Sequence, residues 1–285
     1  MLSGMITREQ REVLYYLLIL GLPLLFLILF FIAPMEQVIR ASFGREIGVG
    51  QAYASLFRTR VYIEVFRNTL FITAWVVVSC LVIGYILAFT LFRASSKWFY
   101  LLLILLLSPL LMNQLSRNFA WMVILDSHGL INGLFRLVGL SHQPLELIYN
   151  RFGVIVVLIH GFIPIMTLSI YMSLSSIGRD LPLASYSLGA NSWQTFRYVY
   201  LPLSLPGVLA GSFFVAILTF GYYITPAMLG GSKGIMIARV IDQLLNRQGD
   251  EQMATAVSTV LILICLPSVF FLMRTFNNLR RETSL

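Results

Sequence analysis

Charge is what this 285-residue sequence has least of: Asp, Glu, Lys and Arg make up 11% of it, against 58% apolar residues. Soluble globular domains carry about 25% charged residues. A chain this short of charge has too little polar surface to face water all round, which excludes a soluble α/β enzyme. Cysteine is scarce as well. Cys80 and Cys265 lie inside apolar runs, so a disulfide-stapled secreted scaffold is excluded. Leu, Phe and Ile are too abundant for a disordered chain. No stretch is long and polar enough for a soluble domain. There is no P-loop either, because Gly231-Ser232-Lys233-Gly234 lacks the glycine spacing and the hydroxyl after the lysine. Energy for any work therefore comes from a gradient or from another chain. His128, His142 and His160 form no metal constellation, and no HExxH or comparable nucleophile–base set marks a membrane enzyme. The net charge of +8 comes from basic residues scattered singly, with no stripe to follow a phosphate backbone. Nucleic acid is not a partner, and the excess reads as topology charge and attraction to membrane lipid.

What the sequence has is long uncharged windows: 13–35, 68–92, 98–116, 152–178, 198–232 and 252–273. About 20 helical residues cross the roughly 30 Å hydrocarbon layer. A β-barrel would show short alternating segments instead. The third window carries Ser108, Pro109, Asn113 and Gln114, which predicts a crossing with a polar, kinked end. The fifth holds Pro202, Pro206, Gly207, Gly211, Gly221 and Pro226, so part of it is loop or broken helix. The first contains Pro23 and ends at Pro34-Met35-Glu36 without a small-x-small cleavage site, which predicts a retained helix. The fold class is an all-α polytopic membrane protein of about six transmembrane helices, with five or seven open. Approximate spans are 13–35, 68–92, 98–116, 152–176, 204–225 and 253–274, between an N-terminal segment 1–12 and a tail 277–285. Cytoplasmic termini put nine basic residues in the short inner segments and eleven in outer segments about twice as long, so density, not count, favours that orientation. Outer segment 36–67 is broken by Gly44, Gly48 and Gly50. Segment 117–151, with turn signals at Asp126-Ser127-His128-Gly129 and Ser141-His142-Gln143-Pro144, suits short helices or a re-entrant piece.

Asp180 to Gly211 reads as two short helices and a sharp turn. Leu181, Ala184 and Leu188 share a face, and Gly189 takes the left-handed cap. Asn191 with Gln194 forms a capping box that opens the second helix, whose stripe is Trp193, Phe196, Val199 and Tyr200. Pro202 and Pro206 are expected to stop it and turn the chain into the next span. Such a hairpin either rests on lipid and neighbouring helices or docks a cytoplasmic partner, its small residues allowing close approach and Trp193 and Phe196 filling a pocket.

This segment resembles the EAA signature of binding-protein-dependent ABC importer permeases. The matching positions are Ala184, Leu188, Gly189, Ala190, Thr195, Phe196, Leu201, Pro202, Leu203, Pro206 and Gly207. Phe220 to Gly231 and Phe66 to Leu70 are similar to the spermidine/putrescine branch of that family. Leu183 stands where the family has its motif glutamate, and Ser185 replaces the second alanine. The resemblance implies a non-catalytic permease subunit in a bacterial inner membrane, with a coupling loop at 178–203 inside a transmembrane domain 13–276. It implies as partners two cytoplasmic ATPase subunits that hold ATP and Mg, a second permease (related or identical) and a periplasmic binding protein; the chain itself takes no cofactor. The coupling residues are Leu183, Ala184, Ser185, Leu188, Gly189, Ala190, Trp193, Phe196, Pro202, Pro206 and Gly207. Gly207 and Gly211 serve force entry or simple helix packing alike.

A polyamine needs carboxylates and aromatic faces, and the candidates are Trp121, Asp126, Tyr222, Tyr223 and Asp242. Against it, the spans hold no acidic residue. Basic outer loops suit an anionic or zwitterionic solute such as an opine or phosphonate, and Arg117 and Asn118 lie where a substrate anion or the membrane interface would meet them. The two aspartates read as loop-surface or cap residues ahead of ligand contacts, and the tyrosines equally as interface aromatics. His160, inside the fourth window, is expected to hydrogen-bond a neighbouring helix. A gradient-driven secondary transporter is the alternative class. It calls for an internal repeat and buried ionisable coupling residues, and neither is evident.

Overall fold

Away from water each unpaired peptide group costs several kcal/mol, so apolar windows of this length become helices. The structure, a computed structural model, describes residues 19–43, 49–140, 143–178 and 180–282. The 1–12 segment, residues 13–18 of the first span, Gly44, Arg45, Gly48, Ser141, His142, Arg179 and residues 283–285 lie outside the described residues. Every regular element among the described residues is a helix. In chain order these are α1 (Ile19–Ser42), α2 (Val49–Arg58), α3 (Arg60–Arg93), α4 (Ser96–Leu111), α5 (Gln114–Leu125) and α6 (Leu130–Leu137). There follow α7 (Arg151–Ser175), α8 (Asp180–Ser187), α9 (Ser192–Phe220), α10 (Ile224–Leu229), α11 (Ile237–Gln243) and α12 (Glu251–Glu282).

By length and composition α1, α3, α7 and α9 are able to cross a membrane, and α4 with Gln114–Leu137 makes a fifth crossing if that pair, bent by 100°, is one broken span. The sixth expected crossing falls on α12, whose apolar stretch Glu251–Pro267 is shorter. The window at 98–116 thus departs from a single kinked helix. Its chain breaks at Met112–Asn113, where the Asn113 side chain accepts from the Leu115 and Ser116 amides and starts a new helix. An asparagine that caps forward is a stronger helix start than the preceding proline is a kink.

The expected stop at Pro202 and Pro206 is also corrected, since both prolines lie inside α9. Phe196–Tyr200 widens into a π turn, and the Leu201 amide reaches back five residues to the Phe196 carbonyl. Pro202 then falls in the first turn of the α-helical segment that follows, where proline's fixed φ is suited to the helix. Hairpin and span are therefore one rod.

α7 is the axis of the core. α3 and α9 pack along it and α4 and α10 against its sides, while α1 packs on α12. Val154, Val157, Leu158, Met166, Ile170 and Leu174 of α7 are fully buried against Ile72, Val76 and Cys80 of α3 and Val215 of α9. A second cluster joins Leu56 and Val65 to Ile237, Leu244 and Val257. The α9–α7 crossing is close because Gly207 has no side chain: a Cβ there would lie 2.4 Å from the Ser169 carbonyl oxygen and 2.6 Å from Ser173 Oγ. Gly207→Val is expected to cost about 1–3 kcal/mol by overpacking, read as a lower Tm of the detergent-solubilised protein. Gly221→Ala, whose nearest neighbour is the Ile217 oxygen at 4.0 Å, leaves the Tm unchanged.

Candidate functional site

The hairpin of α8 and the start of α9 is a fully bonded turn. The Ala190 amide donates to the Ser185 carbonyl and the Gly189 amide to that of Tyr186, the double closure that ends a helix on a left-handed residue. That residue is Gly189, at φ +86°, exposed with nothing within 4 Å of a Cβ. Asn191 Oδ1 then accepts from the Gln194 amide (2.9 Å) while Gln194 Oε1 accepts from the Asn191 amide (2.8 Å). Ser185 bonds through its hydroxyl to that of the buried Thr195 at 2.8 Å and ties the two helices together.

Below the tip the hairpin is anchored by aromatics. Phe196 meets Tyr85 and Phe89 of α3 edge-on, and Tyr200 meets Phe89 and Phe92. Tyr85 also bonds Ser204 Oγ at 2.9 Å. Trp193 stacks on Phe196 at 5.6 Å yet remains 65% exposed. With Leu183 at 62% and Leu188 at 89%, it makes an uncovered apolar tip on a rigid stem. Of the expected coupling residues, Leu183, Ala184, Leu188, Gly189 and Trp193 are exposed, whereas Phe196, Pro206 and Gly207 lie in the stem.

At the far end of α9 the structure gathers a polar joint that sequence reading did not assemble. Arg117 of α5 is 7% exposed. It donates through one guanidinium NH2 group to the Pro109 carbonyl (2.9 Å) and through the other to the Tyr222 hydroxyl (2.9 Å). Gly161 of α7 makes room for it, since a Cβ there would sit 3.2 Å from the guanidinium carbon. Fully buried Asn118 accepts from Thr225 Oγ1 at 3.1 Å and so fastens α5 to α10. Trp121 Nε1 donates to His160 Nδ1 at 3.2 Å, the expected helix-to-helix bond of His160. The missed signal was the order Arg117, Asn118, Trp121 on one helix, which the window count had placed in a loop.

Among the solute candidates, Tyr223 and Asp242 come together: the Tyr223 hydroxyl donates to Asp242 Oδ2 at 3.0 Å, and Asn246 Nδ2 donates to Oδ1 at 2.7 Å. The bond to the Asp242 carboxylate pushes the Tyr223 hydroxyl above the usual tyrosine range. Trp121 and Tyr222 instead face the joint. Asp126 caps its own turn, accepting from the His128 amide at 3.0 Å. Among the described residues no group of three His, Cys, Asp or Glu is placed to hold a metal ion.

Among the described residues the structure is a bundle of apolar helices with one capped hairpin running unbroken into a span. Residues 13–282 match the family described as the binding-protein-dependent transport system inner membrane component, and the chain belongs to it. It is 29% identical over 267 residues to the spermidine/putrescine transport system permease protein PotB of Haemophilus influenzae, covering 91% of this chain and 93% of that one. It is 30% identical over 207 residues to the Escherichia coli PotB, covering 72% and 75%. A Salmonella typhimurium permease, PhnU, provisionally named for 2-aminoethylphosphonate transport, is 28% identical over 228 residues, covering 77% of each. In fold the chain is similar to a bacterial ABC transporter chain involved in import of the polysaccharide alginate, with a TM-score of 0.75 at 19% identity over 94% of this chain and 96% of that one. The chain is thus an ABC-importer permease subunit that moves a solute delivered by a periplasmic binding protein across the membrane.

Asn191→Ala removes the cap and is expected to cost the hairpin about 1 kcal/mol. Amide hydrogen exchange at Gln194 and Thr195 then speeds up about fivefold.

Proposed function

We propose that this chain is the translocating subunit of an ATP-driven importer for a small amine-bearing organic solute, a polyamine or an amino-acid-derived compound. Two cytoplasmic ATPase subunits dock on the 178–203 loop. A second permease subunit completes the pathway in a bacterial inner membrane, which the chain crosses six times with both termini in the cytoplasm. The observation that carries the reading is the continuity of α9: one helix of 29 residues starts in the capped hairpin and ends beside the polar joint. Closure of the ATPases on the exposed tip of Leu183, Ala184, Leu188, Gly189 and Trp193 turns that rod and alternates access. Leu183 in place of glutamate makes the contact apolar where a charge-assisted bond would add about 1.5–3 kcal/mol.

The amine reading is supported by likeness to the PotB proteins over most of the chain and by the Tyr223–Asp242 pair. There an aromatic hydroxyl and an amide hold a carboxylate in place for an ammonium group. A second reading, an anionic or zwitterionic solute such as an opine or phosphonate, is favoured by one observation: among the described residues the buried Arg117 bonds a carbonyl and a hydroxyl and no carboxylate.

Affinity purification of the tagged chain from native membranes tests the class, the expected result being a P-loop ATPase and a second permease in a fixed ratio. Recovery of the chain alone, still transporting, returns the question to a gradient-driven carrier. Competition of radiolabelled putrescine uptake by 2-aminoethylphosphonate in the assembled system separates the two solute classes. Gly189→Val forces a side chain into a left-handed conformation costing about 1–2 kcal/mol. The protein is expected to insert normally while ATP-dependent uptake falls at least tenfold; uptake at the wild-type rate removes the hairpin from the coupling path.

A further inference from the structure

We propose that Arg117 is the positioning residue that carries the motion of the hairpin helix into the broken span: α9, the Tyr222 hydroxyl, the Arg117 guanidinium and the Pro109 carbonyl form one mechanical relay. The inference rests on the coupling role of the hairpin proposed above and extends it to the other end of the bundle.

Four observations carry it. First, the driving element is stiff and continuous. From Ser192 to Phe220 there is no break in α9, and Tyr222 follows its last turn directly. Second, the driven element is hinged. α4 and the stretch from Gln114 meet at 100°, and only Met112 and Asn113 separate them. The last carbonyls of α4 have no helical donor to follow them, and Arg117 supplies one to Pro109 from across the break.

Third, Arg117 is held as a joint and not as a surface charge. It is more than nine-tenths buried, and Gly161 of α7 leaves the space its guanidinium fills. In that setting two charge-assisted bonds from one planar group hold their partners in a fixed geometry. Fourth, Arg117 Nε is buried with no acceptor among the described residues, so the guanidinium has one donor not committed to the bonds it makes here. The Tyr222 ring meets Phe162 of α7 edge-on at 5.3 Å, so the hydroxyl can be deleted without removing the ring's packing.

The test uses the assembled transporter, with its ATPases and binding protein, in lipid nanodiscs. Cys80 and Cys265 are replaced by Ala, and two spin-label pairs are read by electron paramagnetic resonance with and without trapped ATP. One pair, Tyr198→Cys with Met172→Cys, reports the hairpin against α7. The other, Val123→Cys with Phe152→Cys, reports α5 against α7. All four sites are exposed in the isolated chain.

In the wild-type background both distances are expected to shift by an amount on the order of an ångström or more. In Tyr222→Phe and in Arg117→Lys the hairpin pair still shifts and the α5 pair does not. Uptake per ATP hydrolysed falls about 2- to 30-fold, the range such couplings span. A merely structural role would lower Tm and blur both pairs together. Tyr222→Phe, which loses one oxygen, keeps the test valid if Arg117→Lys fails to assemble. Persistence of the α5 shift in both variants, or its absence in the wild-type background while the hairpin pair moves, overturns the relay alone. A hairpin pair that never moves overturns both the relay and the coupling role beneath it.

Discussion

Bare peptide groups are not tolerated in hydrocarbon, and each irregular feature of this bundle is shaped by that constraint. Where α4 ends, Asn113 turns its side chain onto the amides of the next helix and Arg117 reaches back to a stranded carbonyl. Where two prolines enter α9, the helix widens by a π turn and carries on. Where α8 must reverse, Gly189 and Asn191 close the turn completely. Several polar side chains of the interior, Arg117 and Asn118 among them, sit where the backbone needs them or where one helix is fastened to the next.

That economy gives the molecule two ends of different character. The hairpin end is rigid but uncovered, with an aromatic stem against α3 and an apolar tip left mostly exposed. The far end is the reverse, with Arg117 bonded to Tyr222, Asn118 to Thr225 and His160 to Trp121. A solute meets the more accessible pair beside it, Tyr223 and Asp242, in the proposed pathway.

The apolar windows and the hairpin were legible because their signals are local: runs of uncharged residues, a glycine where φ turns positive, a cap three residues before its partner. The membrane class follows from those runs, and the capping box from Asn191 with Gln194 three residues on. The hinge at Asn113 was not legible. A lone asparagine reads as a polar blemish in a span until the structure shows which amides it caps. Nor was the joint, because Arg117, Pro109, Tyr222 and Gly161 are brought together by packing between spans, which no periodicity records. Pro202 misled for a physical reason: its cost in a helix is real, but one residue of slack upstream absorbs it. Tyr223 and Asp242 were singled out separately, and only the fold made them a pair.

The π turn at Phe196–Tyr200 also sets the phase of the whole rod. Each residue in an α-helix advances the azimuth by about 100°. Removing the extra residue would restore regular winding but swing the docking tip by more than a quarter turn about the axis of the span. Trp193 would then point away from wherever it now points relative to Gly207 and Tyr222. In the five residues between tip and span, Phe196 and Tyr200 hold the stem through their rings, and the number of residues sets the phase independently of them. Insertions and deletions there act as rotations, and chain length at this point is itself a coupling parameter.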